Sequence, residues 1–310
     1  MRLATLKALV AAIEEGSLRG AARRTNASQP ALSKMIRELE LELAVPLLVR
    51  TSRGVLPTAQ GRVLYEHAVK VARELSTATD TIQQLGGHMV GQLHVAAVPF
   101  AVMLLIPETV RTFGQAFPDI RLRISEELYI AQLQRLRAGE VDLMIGGIPD
   151  NLSRGEFTIE RLTHTSMVPT ARKGSPWLQA RTMADLLAAK WVYTGPDAES
   201  GYARQWYEAN GLPAPRVGAV VNSTLALLSL AAMSDCVALM PLQIALHPLV
   251  QEHLGVIPVL EQGLPLEVGA IVRSGSAMTP VIRHFISHLH RAAHQLDRAV
   301  EDTTVSPASR

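Results

Sequence analysis

Residues 21–40 read AARRTNASQPALSKMIRELE, and this stretch decides how the first part of the chain folds. Ser28 is a typical helix N-cap, and Pro30 falls in the first turn of the following helix, where its missing N–H costs nothing. Apolar residues then recur at spacings of four, three and four, which predicts a helix from Gln29 to about Leu43 with one apolar face. The opposite face carries short polar and cationic side chains. The apolar positions are Leu32, Ile36, Leu39 and Leu43.

The flanking segments complete a small domain. Apolar residues recur at helical spacing over residues 3–13 and predict a first helix that ends at Gly16. Ser17 is an N-cap for a short second helix, and a turn at Asn26 separates that helix from the third. Two short β-like runs within residues 46–56 flank a polar turn and predict a hairpin. The pattern as a whole predicts a helix-turn-helix with a wing.

A winged helix-turn-helix presents one helix to the major groove, where short side chains allow close approach and arginine reaches base edges or phosphates. Residues 1–65 hold ten lysines and arginines against five acidic residues, whereas the rest of the chain holds 20 against 23. This positive charge favours nucleic acid over the alternative, a plain three-helix bundle with solvated charges. The predicted DNA-binding residues are Ser28, Gln29, Pro30, Ser33, Lys34 and Arg37, with Arg50 and Arg53 of the wing on phosphates.

A long helix follows the wing. Thr58 can cap a helix from Ala59 to about Leu85, and its apolar residues alternate at spacings of four and three through three heptads. About 27 residues at 1.5 Å each give a rod of roughly 40 Å. We expect this apolar seam to pair two chains, and the alternative is a helix packed only on its own domain. The seam residues assigned to dimerisation are Leu64, Val71, Leu75 and Ile82.

The remaining residues alternate between predicted strands and helices, which is typical of crossover units and a largely parallel sheet. We expect, among other elements, one helix over Val102–Phe117 and a strand over Ser166–Thr170. Hydrophobic residues make up 48% of the 310-residue chain and charged residues 19%, which is typical of a globular protein with a sizeable core.

The sequence also resembles a known family. The run from Ala21 to Glu40 is similar to the helix-turn-helix of LysR-type transcriptional regulators, and Pro46–Arg50, Gly54-Val55 and Thr58–Gly61 continue the pattern. Leu48 stands where the family often has phenylalanine. Further along, Leu136–Leu143 resembles a recurring stretch of the same family. The resemblance implies a dimerising linker helix and two Rossmann-like subdomains, similar to a type 2 periplasmic binding protein, with a small effector between them.

The effector site is expected at the carboxyl ends of the strands, where ligands bind in open parallel sheets. Many family members carry serine or threonine at the position of Val98, and here that hydroxyl is missing. We therefore expect a small organic acid with an apolar or aromatic body, its acid group nearer Ser223 than Val98. The alternative role for Ser223 is a helix cap. The predicted effector-binding residues are Val98, Pro99, Phe100, Gly147, Tyr193, Thr194, Asn222, Ser223 and Thr224.

Competing chemistries have weak signals. Cys236 is the only cysteine, so an internal disulfide and a multi-cysteine zinc site are excluded. The pairs His284/His288 and His290/His294 lie about 120° apart around a straight helix, so we predict no metal site. No phosphate-binding or nucleotide-binding glycine motif and no nucleophile elbow is present, so we predict no cofactor and no enzyme. No apolar run approaches the ~20 residues that span a bilayer, and we expect a cytoplasmic protein without a membrane partner.

We predict four parts: a DNA-binding domain over 1–58, a dimerisation helix over 59–87, an effector-binding domain over 88–300 and a disordered tail over 301–310. The effector-binding domain divides into one subdomain at about 91–162 and 269–300 and another at about 163–268. The expected function is a LysR-type regulator that binds double-stranded DNA as a homodimer or homotetramer, with RNA polymerase as a further candidate partner. The alternatives are a solute-binding or enzymatic α/β protein with an incidental helical bundle, and a non-specific architectural DNA binder.

Overall fold

The computed structural model describes residues 1–51, 54–127, 129–149, 152, 155–195, 201–274 and 278–305, and only the backbone at 129–131 and 300–305. The chain forms two compact units, Met1–Gly91 and Gln92–Arg310. Each unit has its own hydrophobic core and is described by itself.

The first unit begins with three helices: α1 (Leu3–Glu14), α2 (Leu18–Arg24) and α3 (Gln29–Leu43). The two serine caps are confirmed, since Ser17 Oγ accepts from the Gly20 N–H at 3.0 Å and Ser28 Oγ from the Ala31 N–H at 3.3 Å. The apolar face of α3 is buried against α1 and α2, with one exception. Leu32, Ile36 and Leu39 lie in the core, whereas Leu43 is 40% exposed.

The predicted hairpin is also present, formed by β1 (Leu48–Thr51) and the antiparallel β2 (Gly54–Pro57). The Val55 N–H donates to the Gly16 carbonyl at 2.8 Å, which fixes the hairpin to the turn between α1 and α2. Gly54 has a φ of +131°, and a side chain there would overlap the Gly16 carbonyl oxygen. These contacts hold the hairpin against the turn between α1 and α2.

The long helix α4 extends over Ala59–Leu85, as predicted, and Thr58 Oγ1 caps it by accepting from the Gly61 N–H at 2.9 Å. The helix begins tightly packed on its own unit. The Thr58 N–H donates to the Leu47 carbonyl at 2.9 Å, and a Cβ at Gly61 would overlap that carbonyl oxygen. Glycine at this position therefore lets α4 start directly against the strand-forming segment.

The second unit contains one mixed sheet with helices around it. Its strands follow the order β4-β3-β5-β11-β6-β9-β7-β8, with β10 paired to β6. The strands are β3 (Gly91–Ala97), β4 (Ile120–Glu126), β5 (Leu143–Gly147), β6 (Phe157–Arg172), β7 (Lys190–Thr194), β8 (Arg216–Val221), β9 (Val237–Pro241), β10 (Leu254–Val256) and β11 (Leu264–Arg273). The helices are α5 (Pro99–Leu104), α6 (Ile106–Ala116), α7 (Tyr129–Arg137), α8 (Tyr202–Ala209), α9 (Thr224–Met233), α10 (Leu242–Ala245), α11 (Pro248–Gln251) and α12 (Pro280–Val305).

The expectation of a largely parallel sheet is wrong at the centre of this sheet. Parallel pairs join β3 to β5 and β7 to both β8 and β9. The long strands β6 and β11 run antiparallel to each other, and they also pair antiparallel with β9 and β5. The expectation assumed that neighbouring strands in the sheet follow one another through helical crossovers, whereas β11, which is distant in the sequence from both, lies between β5 and β6. The register of β6 and β11 shifts between Val268 and Gly269.

Two further expectations need correction. The single helix over Val102–Phe117 is two helices, α5 and α6, because Pro107 lacks the N–H that would continue the first and fits the opening turn of the second. The strand expected over Ser166–Thr170 is the middle of the 16-residue β6.

Candidate functional site

The outer face of α3 presents the residues that sequence analysis assigned to DNA. Ser28, Gln29, Pro30, Lys34 and Arg37 are exposed and Ser33 is partly exposed, while the opposite face of the helix forms the core. Lys34 forms only a loose pair with Glu38, at 3.8 Å, and its side chain is 75% exposed. The helix thus offers a polar, cationic surface that no other segment of its unit covers at these positions.

The hairpin lies beside this surface because Glu40 holds it there. The Glu40 carboxylate accepts from the backbone N–H groups of Leu47 at 2.8 Å and Leu48 at 3.1 Å. The same carboxylate borders a small depression that Arg37 of α3 and Arg50 of β1 also line. Two guanidinium groups therefore flank one groove between helix and hairpin. Arg53, the other wing residue predicted to contact phosphate, lies outside the described residues.

The apolar seam of α4 divides into two parts. Leu64 is partly buried and packs on the core of its own unit with Leu9, Leu39 and Leu47, so its assignment to dimerisation is corrected. Its position close to the start of α4 places it opposite α1 rather than beyond the unit. The remainder of the seam is exposed: Val71 at 45%, Leu75 at 46%, Ile82 at 71% and Leu85 at 72%.

Tyr65 and Glu14 tie α4 to the helices before it. The Tyr65 hydroxyl donates to Glu14 Oε1 at 3.1 Å, and Arg24 of α2 pairs with Glu14 Oε2 at 2.5 Å. Burial first, and then the hydrogen bond to Glu14, raises the pKa of Tyr65, so the phenol stays protonated as a donor. The start of α4 is therefore bonded to α1, and the same Glu14 carboxylate is bonded to α2.

The second unit contains a cavity of about 130 Å³ at the ends of several strands. Six of the nine residues predicted to bind an effector line it: Val98, Pro99, Phe100, Gly147, Thr194 and Thr224. Sequence reasoning missed the others, which are largely aliphatic and therefore have the same pattern as residues of a core. These are Met167, Tyr202, Leu227, Leu228, Leu239, Met240, Pro241, Ile244 and Leu266.

Three predicted residues do not line the cavity. Tyr193 is 2% exposed and lies in the core cluster with Trp191 and Tyr207, because neighbouring residues on a strand point to opposite faces and Thr194 takes the cavity side. Asn222 is exposed. Ser223 Oγ accepts from the Ala226 N–H at 3.5 Å, the geometry of an N-cap of α9. Ser223 therefore occupies the position of a helix cap, which is the alternative role given for it above.

Among the described residues that line this cavity, none carries a charge. Its polar side chains are the hydroxyls of Thr194, Tyr202 and Thr224, and Thr224 is the first residue of α9, where free backbone N–H groups favour an anion. Burial raises the pKa of Tyr202, so its phenol is a donor at neutral pH. The rest of the wall is aliphatic or aromatic, so the cavity suits a ligand with one polar end and one apolar body.

His284 and His288, the first of the two histidine pairs on α12, contact aromatic side chains at α6. The His288 ring lies 2.8 Å from Thr112 Oγ1 and edge-on to Phe113, and burial lowers the pKa of His288. His284 stacks on Phe117. Within the described part of the chain, no group of three metal-ligating side chains comes together. Over the same residues, no helix has the length and apolar character needed to cross a membrane.

A winged helix-turn-helix unit joined to an α/β unit with a largely apolar cavity is typical of the class of ligand-responsive regulators. Residues 3–62 match the family described as bacterial regulatory helix-turn-helix protein, lysR family, and residues 86–294 match the LysR substrate binding domain. The chain belongs to the LysR family of bacterial transcriptional regulators, which are DNA-binding proteins.

Similar proteins include the SDS degradation transcriptional activation protein of a Pseudomonas species, which is 30% identical over 90% of this chain and 92% of the relative. The HTH-type transcriptional regulator GalR of Pseudomonas putida is 29% identical over 89% of this chain and 70% of its own length. Full-length CbnR in complex with its target DNA has a similar fold, with a TM-score of 0.69, 21% identity and coverage of 94% of this chain and 100% of that one.

Proposed function

We propose that this regulator responds to a small organic acid with an apolar body, bound in the cavity of the second unit. The observation that carries the proposal is the division of the cavity wall into three hydroxyl groups and an otherwise apolar lining. Apolar surface that leaves water on binding contributes about 25 cal/mol per Å², so the body of such a ligand supplies most of its affinity.

The acid group is proposed to lie at the start of α9. Thr224 lines the cavity there, and the helix N-terminus favours a negative charge by its unbonded N–H groups. We place the acid at Thr224 rather than at Ser223 because the Ser223 hydroxyl has the geometry of a helix cap and does not line the cavity. Val98 adds only methyl groups to the wall, in keeping with an apolar body on that side.

A relative supports the same ligand chemistry. The name of the SDS degradation transcriptional activation protein refers to an alkyl sulfate, a compound with a long apolar chain and an anionic head group. An amphipathic anion of this general kind matches the lining of the present cavity. The proposal extends to the ligand class only, and carboxylates and sulfate esters are both members of it.

We further propose that two chains pair through the exposed part of α4. Val71, Leu75, Ile82 and Leu85 form an apolar stripe that one chain leaves in water, and a second copy would bury it. Pairing would place two α3 helices in one particle, which suits two half-sites on DNA.

The ligand class is tested by the thermal stability of the full chain with octanoate, octyl sulfate, benzoate and, as the uncharged control, 1-octanol. A ligand of the native state raises stability by about 2.7 kcal/mol at a hundred times its Kd. We expect at least one of the three acids to raise the unfolding temperature, and 1-octanol to raise it less. Equal shifts with octanol and octanoate would remove the acid group from the proposal, and no shift with any acid would contradict the ligand class.

A further inference from the structure

Helix α10 forms part of the cavity wall, and one buried side chain holds it to β6. Pro241 and Ile244 line the cavity, while Gln243 does not and is only 9% exposed. The Gln243 amide oxygen accepts from the Thr165 hydroxyl, and Nε2 donates to the His164 carbonyl at 3.3 Å. Both ends of this amide are therefore bonded to β6, and α10 cannot rotate without breaking them.

The same face of β6 continues to the C-terminal helix. Thr163 and Thr165 are two residues apart, so their side chains leave the strand on one side. Thr163 Oγ1 donates to Asp297 Oδ1 of α12 at 2.5 Å, and it also lies 3.4 Å from the His164 carbonyl oxygen. The single proton of the Thr163 hydroxyl goes to Asp297, so β6 itself, and not a hydrogen bond between Thr163 and the His164 carbonyl, joins the two sites.

The bonded groups adjoin the cavity from two elements. Met167, two residues beyond Thr165 on the same face of β6, lines the cavity. Leu266, another lining residue, pairs directly with Thr165 across β6 and β11. A ligand that displaces the wall at either residue or at Ile244 would act on the hydrogen bonds of Gln243. Thr165 itself is 3% exposed, so an unmade bond there would leave a buried polar group without a partner.

We propose that Gln243 is a positioning residue that couples the cavity wall to α12 through β6, where Thr165 and the His164 carbonyl hold Gln243 and Thr163 holds Asp297. The consequence for regulation rests on the proposed function, because it requires an effector in the cavity. The coupling itself does not, since it is a property of the hydrogen bonds in the protein alone. Coupling through a contiguous network is accepted only when a change at one end is measured at the other.

The test is hydrogen–deuterium exchange of the full chain without any ligand. Gln243→Met keeps the length of the side chain and removes both hydrogen bonds. We expect amide exchange over residues 290–299 to accelerate about fivefold, the factor that corresponds to one net hydrogen bond. Gln251→Met, at an exposed glutamine of α11, is the matched control and should leave residues 290–299 unchanged.

A second pair of variants separates coupling from general loosening. Thr165→Val should reproduce the acceleration over residues 290–299. Thr165→Ser retains the hydroxyl and should exchange at the same rate as the unmodified chain. Acceleration confined to residues 242–246 would overturn the proposal, as would a Thr165→Ser variant that behaves like Thr165→Val. Because no effector is added, either result is distinct from a failure of the organic-acid test.

Discussion

Arg37 is exposed on α3 and borders the groove between that helix and the hairpin. Its Nε donates only weakly to the Ser33 carbonyl, at 3.4 Å, so the guanidinium can turn toward DNA. We expect Arg37→Ala to lose about 1–3 kcal/mol of binding free energy on a specific site if the side chain reads a base. Fluorescence anisotropy with a specific and a shuffled duplex measures the specific and the non-specific affinity.

The control for lost charge is Arg291→Ala, an exposed arginine of the second unit. It should leave the ratio of specific to non-specific affinity unchanged. Equal losses on both duplexes for Arg37→Ala, with a flatter salt dependence, would instead assign Arg37 to a phosphate.

Ser223 and Thr224 are neighbours with different predicted roles. Ser223→Ala removes the cap of α9 and should lower the free energy of unfolding by about 1 kcal/mol, without changing the affinity for an acid that stabilises the native chain. Thr224→Val keeps the shape of a cavity-lining side chain and removes its hydroxyl. It should therefore weaken binding of that acid by about 1–2 kcal/mol. Isothermal titration calorimetry of both variants measures their affinities for the acid. Weaker binding by Ser223→Ala and unchanged binding by Thr224→Val would instead assign the acid to Ser223.

The residue scale also shows where sequence reasoning stops. It predicted both Tyr193 and Thr194 in the effector site because both end one strand. Side chains alternate along a strand, so only one of two neighbours can face the cavity, and the sequence does not say which. Tyr202, Met167 and Met240 carried no signal, because aliphatic and aromatic residues in a cavity wall have the same pattern as residues of a core.

At the scale of elements, the start of α4 depends on a glycine. Gly61→Ala would place a methyl group on the Leu47 carbonyl oxygen, and we expect a loss of about 1–3 kcal/mol of stability in the first unit. The matched control is Gly114→Ala in α6, where no atom lies within 4 Å of the added Cβ. That change should stabilise the chain by about 0.5–1 kcal/mol, since alanine favours a helix interior. Thermal unfolding of both variants measures the contrast, and a neutral Gly61→Ala would contradict the close approach.

The exposed stripe of α4 gives the prediction about assembly. Leu75→Asp would place a charge in the middle of the proposed seam and should shift the particle toward a single chain in light scattering. Ser76→Asp adds the same charge one residue away, off the stripe, and should leave the mass unchanged. An unmodified chain that is a monomer at micromolar concentration would contradict pairing through α4.

Elements with local signals were predicted well, and those fixed by distant contacts were not. The caps Ser17, Ser28 and Thr58 and the periodicity of the first four helices predict bounds that the structure confirms. The length of β6 and its antiparallel partners depend on β9 and β11, which lie far along the sequence. No local pattern in Phe157–Arg172 distinguishes a long crossing strand from a short parallel one.

At the scale of the whole molecule, the chain joins two units with separate chemistry, a cationic helix face in one and, in the other, a cavity whose described lining is uncharged. Regulation requires that a ligand bound to the second unit change the affinity of the first unit for DNA. A ligand can do so only through different affinities for the states that bind DNA well and poorly.

The most direct test of this account is the affinity of the full chain for DNA upstream of its own gene, compared with a shuffled duplex over a range of salt concentrations. The measurement is made with and without the acid that raises thermal stability most. The account predicts binding to the upstream DNA about 10³-fold or more tighter than to the shuffled duplex, and an acid-dependent change in affinity or protected length. Equal affinity for both duplexes at every salt concentration, unaffected by the acid, would contradict it.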